Sequence, residues 1–235
     1  MSEGQIVVTG GSRGIGAAIA VELDRRGRRI ACLSRSGEAP VGYGLACDMT
    51  DEAKVAEAIA AIAAKGPIAG LVNNAGHHVA TPSESLTAEE FERSVRLNAT
   101  AVVVACREAY PHIRANGGGL IINIGSFFDK LGVAQNVAYC ASKAAVGAIT
   151  RCLAVEWADA GIRVLDVAPG YIDTDLNHEF LARDNVRRWL ERRVPVKRPG
   201  SAEEVARLVG TLYSEDIGFL TGETIYMDGG QGMNH

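Results

Sequence analysis

Tyr139 and Lys143 stand four residues apart in Tyr139-Cys140-Ala141-Ser142-Lys143-Ala144-Ala145, a stretch that reads as a helix. That spacing sets both side chains on one face, within reach of each other. A free phenol ionises only near pH ~10, and a neighbouring ammonium favours the phenolate and lowers that value. On this reading Tyr139 exchanges a proton with a substrate near neutrality. Ser126 follows the apolar run Leu120-Ile121-Ile122-Asn123-Ile124-Gly125, which reads as a buried strand. A hydroxyl at that strand end can hydrogen-bond a carbonyl or alcohol oxygen.

A second signature lies at the other end of the chain. Thr9-Gly10-Gly11-Ser12-Arg13-Gly14-Ile15-Gly16 comes directly after the apolar run Ile6-Val7-Val8. Ala17, Ala18, Ile19, Val21 and Leu23 then follow at helical apolar spacing. Strand, glycine-rich turn and helix make the context of a dinucleotide-binding site. The glycines let the backbone approach a pyrophosphate, which rests on the positive helix N-terminus. Their spacing is wider than the common G-x-G-x-x-G form.

These motifs, in this order, resemble the short-chain dehydrogenase/reductase family over nearly the whole chain. Its glycine pattern is T-G-x-x-x-G-x-G, and Asn73-Asn74-Ala75-Gly76 is similar to its N-N-A-G element. Pro169-Gly170 followed by Thr174 is similar to the segment that closes over the nicotinamide, and Leu220-Thr221-Gly222-Glu223-Thr224 through Asp228-Gly229-Gly230 to the last strand and turn. The resemblance implies a catalytic set of Asn98, Ser126, Tyr139 and Lys143. Lys143 would orient the ribose, and Asn98 would hold a water that links Lys143 to solvent. It also implies cofactor contacts from Gly10, Ser12, Arg13, Gly14, Ile15 and Gly16, from Asn74, Ala75 and Gly76, and from Tyr139, Lys143, Gly170, Ile172 and Thr174. Asp48 matches the family aspartate that contacts the adenine; it can also cap the helix starting at Asp51.

Cofactor choice turns on the end of the second strand. NAD-binding sites place an acid there for the ribose 2′-hydroxyl, whereas NADP needs cations. Here Cys32-Leu33-Ser34-Arg35-Ser36 has no acid before Glu38. Arg35 and Arg13 can pair with a 2′-phosphate, with Ser12 or Ser34 adding hydroxyls, or both arginines are merely solvated. NADP(H) is favoured, and NAD(H) is the alternative. The leading expectation is an NADPH-dependent reductase of ketones or 3-oxoacyl thioesters. An NAD-dependent alcohol or dihydrodiol dehydrogenase is the second, and a cofactor-sensing binding protein without chemistry the third. His77 and His78 border the active-site mouth and either meet a polar substrate or face solvent. Phe127 and Phe128 either narrow the pocket or pack in the core, and His178 has no evident partner.

The rest of the chain must position these groups. Strands near 5–9, 29–33, 43–47, 69–73, 119–124, 163–168 and 224–227 alternate with helices near 14–26, 51–64, 87–115, 138–159 and 201–213. This predicts a single α/β domain over 1–235, a Rossmann-type doubly wound parallel sheet with helices on both faces. Gly10, Asn74, Ser126 and Gly170 follow strand ends and should converge where strand order reverses. The irregular stretch 170–199, with Leu176, Phe180, Val186, Trp189 and Leu190, reads as a helical substrate lid. A net charge of −4 implies no nucleic-acid or anionic-membrane surface. The early first strand leaves no space for a signal peptide, and no apolar stretch spans a bilayer. Cys32, Cys47, Cys106, Cys140 and Cys152 show no metal-like pairing and read as reduced core residues of a cytosolic protein. A small-molecule substrate is expected. The resemblance implies a homotetramer, or a homodimer, to which the Ala141, Ala144, Ala145, Ala148 and Leu153 helix and the end Met233-Asn234-His235 can contribute.

Overall fold

Along the first strand, β1 (Gln5–Thr9), Val7 faces one apolar layer while Ile6 and Val8 face another. The same two-residue alternation recurs in β4 (Ile68–Asn73), where Leu71 and Val72 part, and in β5 (Gly119–Ile124), where Ile121 opposes Leu120 and Ile122. Strands apolar at both parities must be covered on both faces. The computed structural model describes residues 4–174, 177–215 and 217–233. Among them the sheet has seven strands in the order β3-β2-β1-β4-β5-β6-β9, every neighbouring pair parallel. The remaining strands are β2 (Arg29–Ser34), β3 (Tyr43–Ala46), β6 (Ile162–Pro169) and β9 (Thr224–Met227).

One face is covered by α2 (Glu52–Ala63), α4 (Ala101–Ala115) and α5 (Val137–Trp157), through Val55, Ile59, Ile62, Val102, Cys106, Ile113 and Val146. The other is covered by α1 (Gly14–Arg25) and α8 (Ala202–Ser214), through Ile19, Leu23, Val205, Val209, Leu212 and Tyr213. The buried amides of β4 and β5 are paired, as burial demands. Asn73 donates to Asn123 Oδ1 (2.9 Å), and Asn123 donates to Thr150 Oγ1 (2.8 Å). This is the doubly wound parallel α/β fold expected. No helix among the described residues is long and apolar enough to cross a membrane.

Three local expectations are corrected. The helix expected over 87–115 is two helices, α3 (Ala88–Val95) and α4, joined by a π-helical turn at Arg96–Thr100. Apolar periodicity alone does not reveal such a one-residue insertion. Asp48 does not cap α2: Asp51 is its N-cap and accepts from Lys54 N (3.2 Å), while Asp48 binds Thr50 N and Oγ1. Cys152 is exposed rather than core, because the apolar run it belongs to continues around the outer face of α5 to exposed Val155.

The 170–199 stretch contains β7 (Ile172–Asp173) and the helices α6 (His178–Leu181) and α7 (Asp184–Arg193), and β7 pairs with β8 (Gly200–Ser201). Leu181, Leu190 and Val194 form a small core there, with Tyr171, Val186 and Trp189 packed on it. Leu176, the side chain of Phe180, Asn234 and His235 lie outside the described residues.

Candidate active site

Strand order reverses between β1 and β4, and the loops at their carboxyl ends are tied together there. Asn74 Nδ2 donates to Thr9 O (3.1 Å) and Gly10 O (3.2 Å), and Thr9 Oγ1 accepts from the backbone N–H of Asn74 and Ala75. Gly10 has φ +64°, and a Cβ on Gly16 would stand 2.2 Å from Gly10 O, so this turn requires both glycines. Arg13 is the N-cap of α1 but supplies no side-chain cap, leaving the helix's positive end and first N–H groups as an anion seat. Thr174 faces Gly14 from the far side, beside a cleft of about 830 Å³ that Ser12, Arg13 and His178 also line. Bare backbone, an uncapped helix N-terminus and an open cleft fit the pyrophosphate of a dinucleotide. Ile15 and Ile172 pack into the layer beneath, and Asn177 holds the Ile172 carbonyl and Thr174 N–H.

Arg13 and Arg35 are exposed, and the side chain of neither forms a hydrogen bond or ion pair with the described residues. Ser34 is buried, and its hydroxyl braces the 34–38 turn by accepting from Gly37 N (3.1 Å). Asp48 is exposed near Arg35; the bonds from Thr50, and more weakly the Arg35 charge, hold its carboxyl below the usual range.

The four expected chemical residues come together below Gly76. Tyr139 lies beside Ser126, whose Oγ accepts from Phe128 N (3.3 Å). Lys143 is buried and donates from Nζ to Ile124 O (2.7 Å). Asn98 sits in the π turn with both amide atoms engaged. Its Oδ1 accepts from His77 N (2.9 Å), and its Nδ2 donates to His77 O (2.9 Å) and Ser142 Oγ (3.0 Å). A Cβ on Gly76 would lie 3.1 Å from Asn98 Oδ1 and 3.8 Å from Lys143 Nζ, so the turn closes tightly over both.

Acidities here differ from the simplest expectation. Burial pushes the Tyr139 phenol above its ordinary value, and the neighbouring Ser126 hydroxyl only partly offsets this. Lys143 does not pull it down: its Nζ is directed at Ile124 O and stands 5.8 Å from the phenol ring centroid. Burial lowers Lys143 itself to about 8, against the pull of Asp166. A protonated phenol beside a lysine that is still largely an ammonium at neutral pH suits delivery of a proton to a carbonyl oxygen.

His78 and the two phenylalanines surround Tyr139. His78 lies edge-on at 4.7 Å between ring centroids, and Phe128 at 5.9 Å. Phe127 and Phe128 are both buried, and both meet the ring of Tyr171, which meets Trp189 of α7 at 5.4 Å. Core packing and pocket shaping are thus one arrangement, which ties the 170–199 segment to the tyrosine. His77 bonds Ser94 Oγ (3.2 Å) and His178 pairs with Asp173 (3.0 Å), so both histidines have partners inside the chain. Sequence reading passed over Asn136, Tyr171 and Asp166. Asp166 alone carried a signal, as a single acid inside the apolar run Val164-Leu165-Asp166-Val167-Ala168.

Known proteins resemble this chain along nearly its whole length. Residues 10–232 match the family described as enoyl-(acyl carrier protein) reductase. The chain is 38% identical to the 3-oxoacyl-(acyl-carrier-protein) reductase MabA of Mycobacterium tuberculosis over 98% of its own length and 93% of that protein's. It is 36% identical to the glucose 1-dehydrogenase of Gluconobacter oxydans, covering 96% of this chain and 91% of that one. The ligand-free aldohexose dehydrogenase of Thermoplasma acidophilum superposes with a TM-score of 0.90 at 30% identity, covering 100% of this chain and 96% of the other. With its glycine turn, its Ser126–Tyr139 pair and its buried Lys143, the chain belongs to the short-chain dehydrogenase/reductase family, oxidoreductases that act on CH–OH and C=O groups with NAD(P).

Proposed function

We propose that this chain is an NADPH-dependent reductase of a small-molecule ketone, of the 3-oxoacyl-thioester type. The observation that carries the reading is the pair of exposed arginines, Arg13 and Arg35, with no acid before Glu38 at the end of the second strand. NADPH bound over the glycine turn supplies hydride to the substrate carbonyl carbon. Ser126 holds the carbonyl oxygen, and Tyr139 donates the proton to it. Lys143 reprotonates the phenolate and would hold the ribose, while Asn98 fixes the 76–77 turn above it. The guanidinium groups of Arg13 and Arg35, free of hydrogen bonds and ion pairs among the described residues, are the clamp for the 2′-phosphate. The 38% identity to a 3-oxoacyl-(acyl-carrier-protein) reductase supports the thioester class.

A homotetramer or homodimer is the expected assembly. Ala141, Ala144, Ala148, Cys152 and Val155 give α5 an exposed face of small and apolar residues suited to close helix approach. A cytosolic location agrees with five unpaired thiols.

Binding of NADPH against NADH, followed by fluorescence with Arg35→Ala alongside, tests the proposal. Tight NADPH binding that weakens about tenfold or more in the variant is expected, since charge-assisted bonds to phosphate are the strong ones. An NADH preference indifferent to Arg35 overturns the clamp. It would favour the NAD-dependent alcohol or dihydrodiol dehydrogenase reading.

A further inference from the structure

Asp166 is fully buried on β6, in register with Asn123 of β5 on one side and Thr224 of β9 on the other. Its carboxylate lies against the main chain of Gly125: a Cβ there would stand 2.4 Å from Oδ1 and 2.7 Å from Oδ2. Thr224 donates to Oδ2 (3.1 Å), and Oδ1 has no hydrogen-bond partner among the described residues. Across the same segment, Lys143 Nζ donates to Ile124 O (2.7 Å). The single peptide unit Ile124–Gly125 therefore separates a buried ammonium from a buried carboxylate. A buried charge persists only when it is paired.

We propose that Asp166 is a positioning residue for Lys143, holding the ammonium charged and directed at Ile124 O from behind the Ile124–Gly125 peptide. The inference deepens the reading above, because Lys143 belongs to the proposed catalytic set. The groups that face the pair are few. Lys143 meets Asp166 from β6, Tyr139 from its own helix and His77 from the turn after β4. Asp166 meets Lys143, Asp129 of the 127–129 turn and Tyr226 of β9. Burial raises Asp166 to about 6, with Asp129 adding to the rise and Lys143 opposing it. Removing the carboxylate leaves the desolvation of Lys143 uncompensated, so the lysine loses its proton at lower pH.

NMR titration of the ¹³Cε signals of the lysines tests this without substrate or cofactor. The chain has five, Lys54, Lys65, Lys130, Lys143 and Lys197, and a Lys143→Met variant identifies the relevant signal. In the unaltered protein the Lys143 signal should show a second inflection near pH 6, where Asp166 ionises. In Asp166→Asn its main titration should fall by about one pH unit, with the other four signals unmoved. The alkaline limb of kcat/KM should move the same way. Absence of the inflection in the unaltered protein, or an unshifted Lys143 in folded Asp166→Asn, overturns the proposal. Because the titration needs no turnover, a chain that reduces no ketone still decides it.

Discussion

His78 stands edge-on to Tyr139, ring planes at 83°, and its Nε2 bonds Asn136 Oδ1 at 2.5 Å. The Asn136 amide is oriented by its own donation to Ala134 O (2.8 Å), so the histidine must carry its proton on Nε2. His78 is thus a fixed wall beside the reacting phenol. His78→Ala should lower kcat/KM for ketones about tenfold, the worth of one aromatic edge contact. His78→Phe should restore much of that loss for apolar ketones. NADPH affinity should be unchanged in both, and steady-state kinetics with a ketone panel checks it.

Tyr139→Phe removes the proton donor and leaves the ring contacts with His78 and Phe128. Turnover should fall about 10²- to 10⁴-fold, the usual worth of a positioned acid, while cofactor binding persists. Unchanged turnover would instead revive the cofactor-sensing reading. Single-turnover kinetics with fluorescence binding separates the two.

Gly16→Ala places a methyl 2.2 Å from Gly10 O and 2.4 Å from Asn74 Nδ2, both main parts of the turn. Neither can move without breaking the Thr9–Asn74 ties. Loss of NADPH binding together with a lower Tm is the expected result, read by fluorescence and thermal melting. An alanine variant that binds as before would remove the close-approach argument.

Glu204 joins the end of the 170–199 segment to α8. It accepts from Ser201 N (2.9 Å) and from Arg198, which hold its carboxyl at about 2 against an ordinary 4.5. A depressed acid stabilises the fold fully above its unfolded value and loses that contribution as pH falls toward its folded value. Glu204→Gln should therefore lower Tm at pH 7, and the gap should close between about 4.5 and about 2. Melting curves across that range check the sign.

Tyr213 is buried between sheet and α8, its hydroxyl meeting Leu120 O (2.8 Å) and Leu71 O (3.1 Å). Burial raises its pKa far above the ordinary phenol value, so it acts here only as a donor. Tyr213→Phe should cost about 1–3 kcal/mol for the carbonyls left unpaired, measured by urea unfolding, with activity retained.

The sheet was legible because β1, β2, β4, β5 and β6 are apolar at both parities and the Gly10, Gly76 and Gly170 turns follow strand ends. Ser126, Tyr139 and Lys143 were legible because strand end and helix spacing fix where they point. The acidities were not, since desolvation depends on how deeply Gly76, His78 and Phe128 close over Tyr139, and no spacing records that. Asn98 was placed in an ordinary helix, although its amide reaches His77 and Ser142 from a π turn. Asn136 and Tyr171 belong to no motif; only tertiary packing brings them to the site.

The π turn at Arg96–Thr100 sets regularity and use against each other. An α-helix advances about 100° per residue, so deleting one residue there would give a smoother rod from Ala88 to Ala115. It would also turn either Asn98 away from His77 or the Val102–Cys106–Ile113 stripe away from the sheet. The tidier helix would be the poorer protein, and a one-codon deletion in this turn should be borne less well than most substitutions within it.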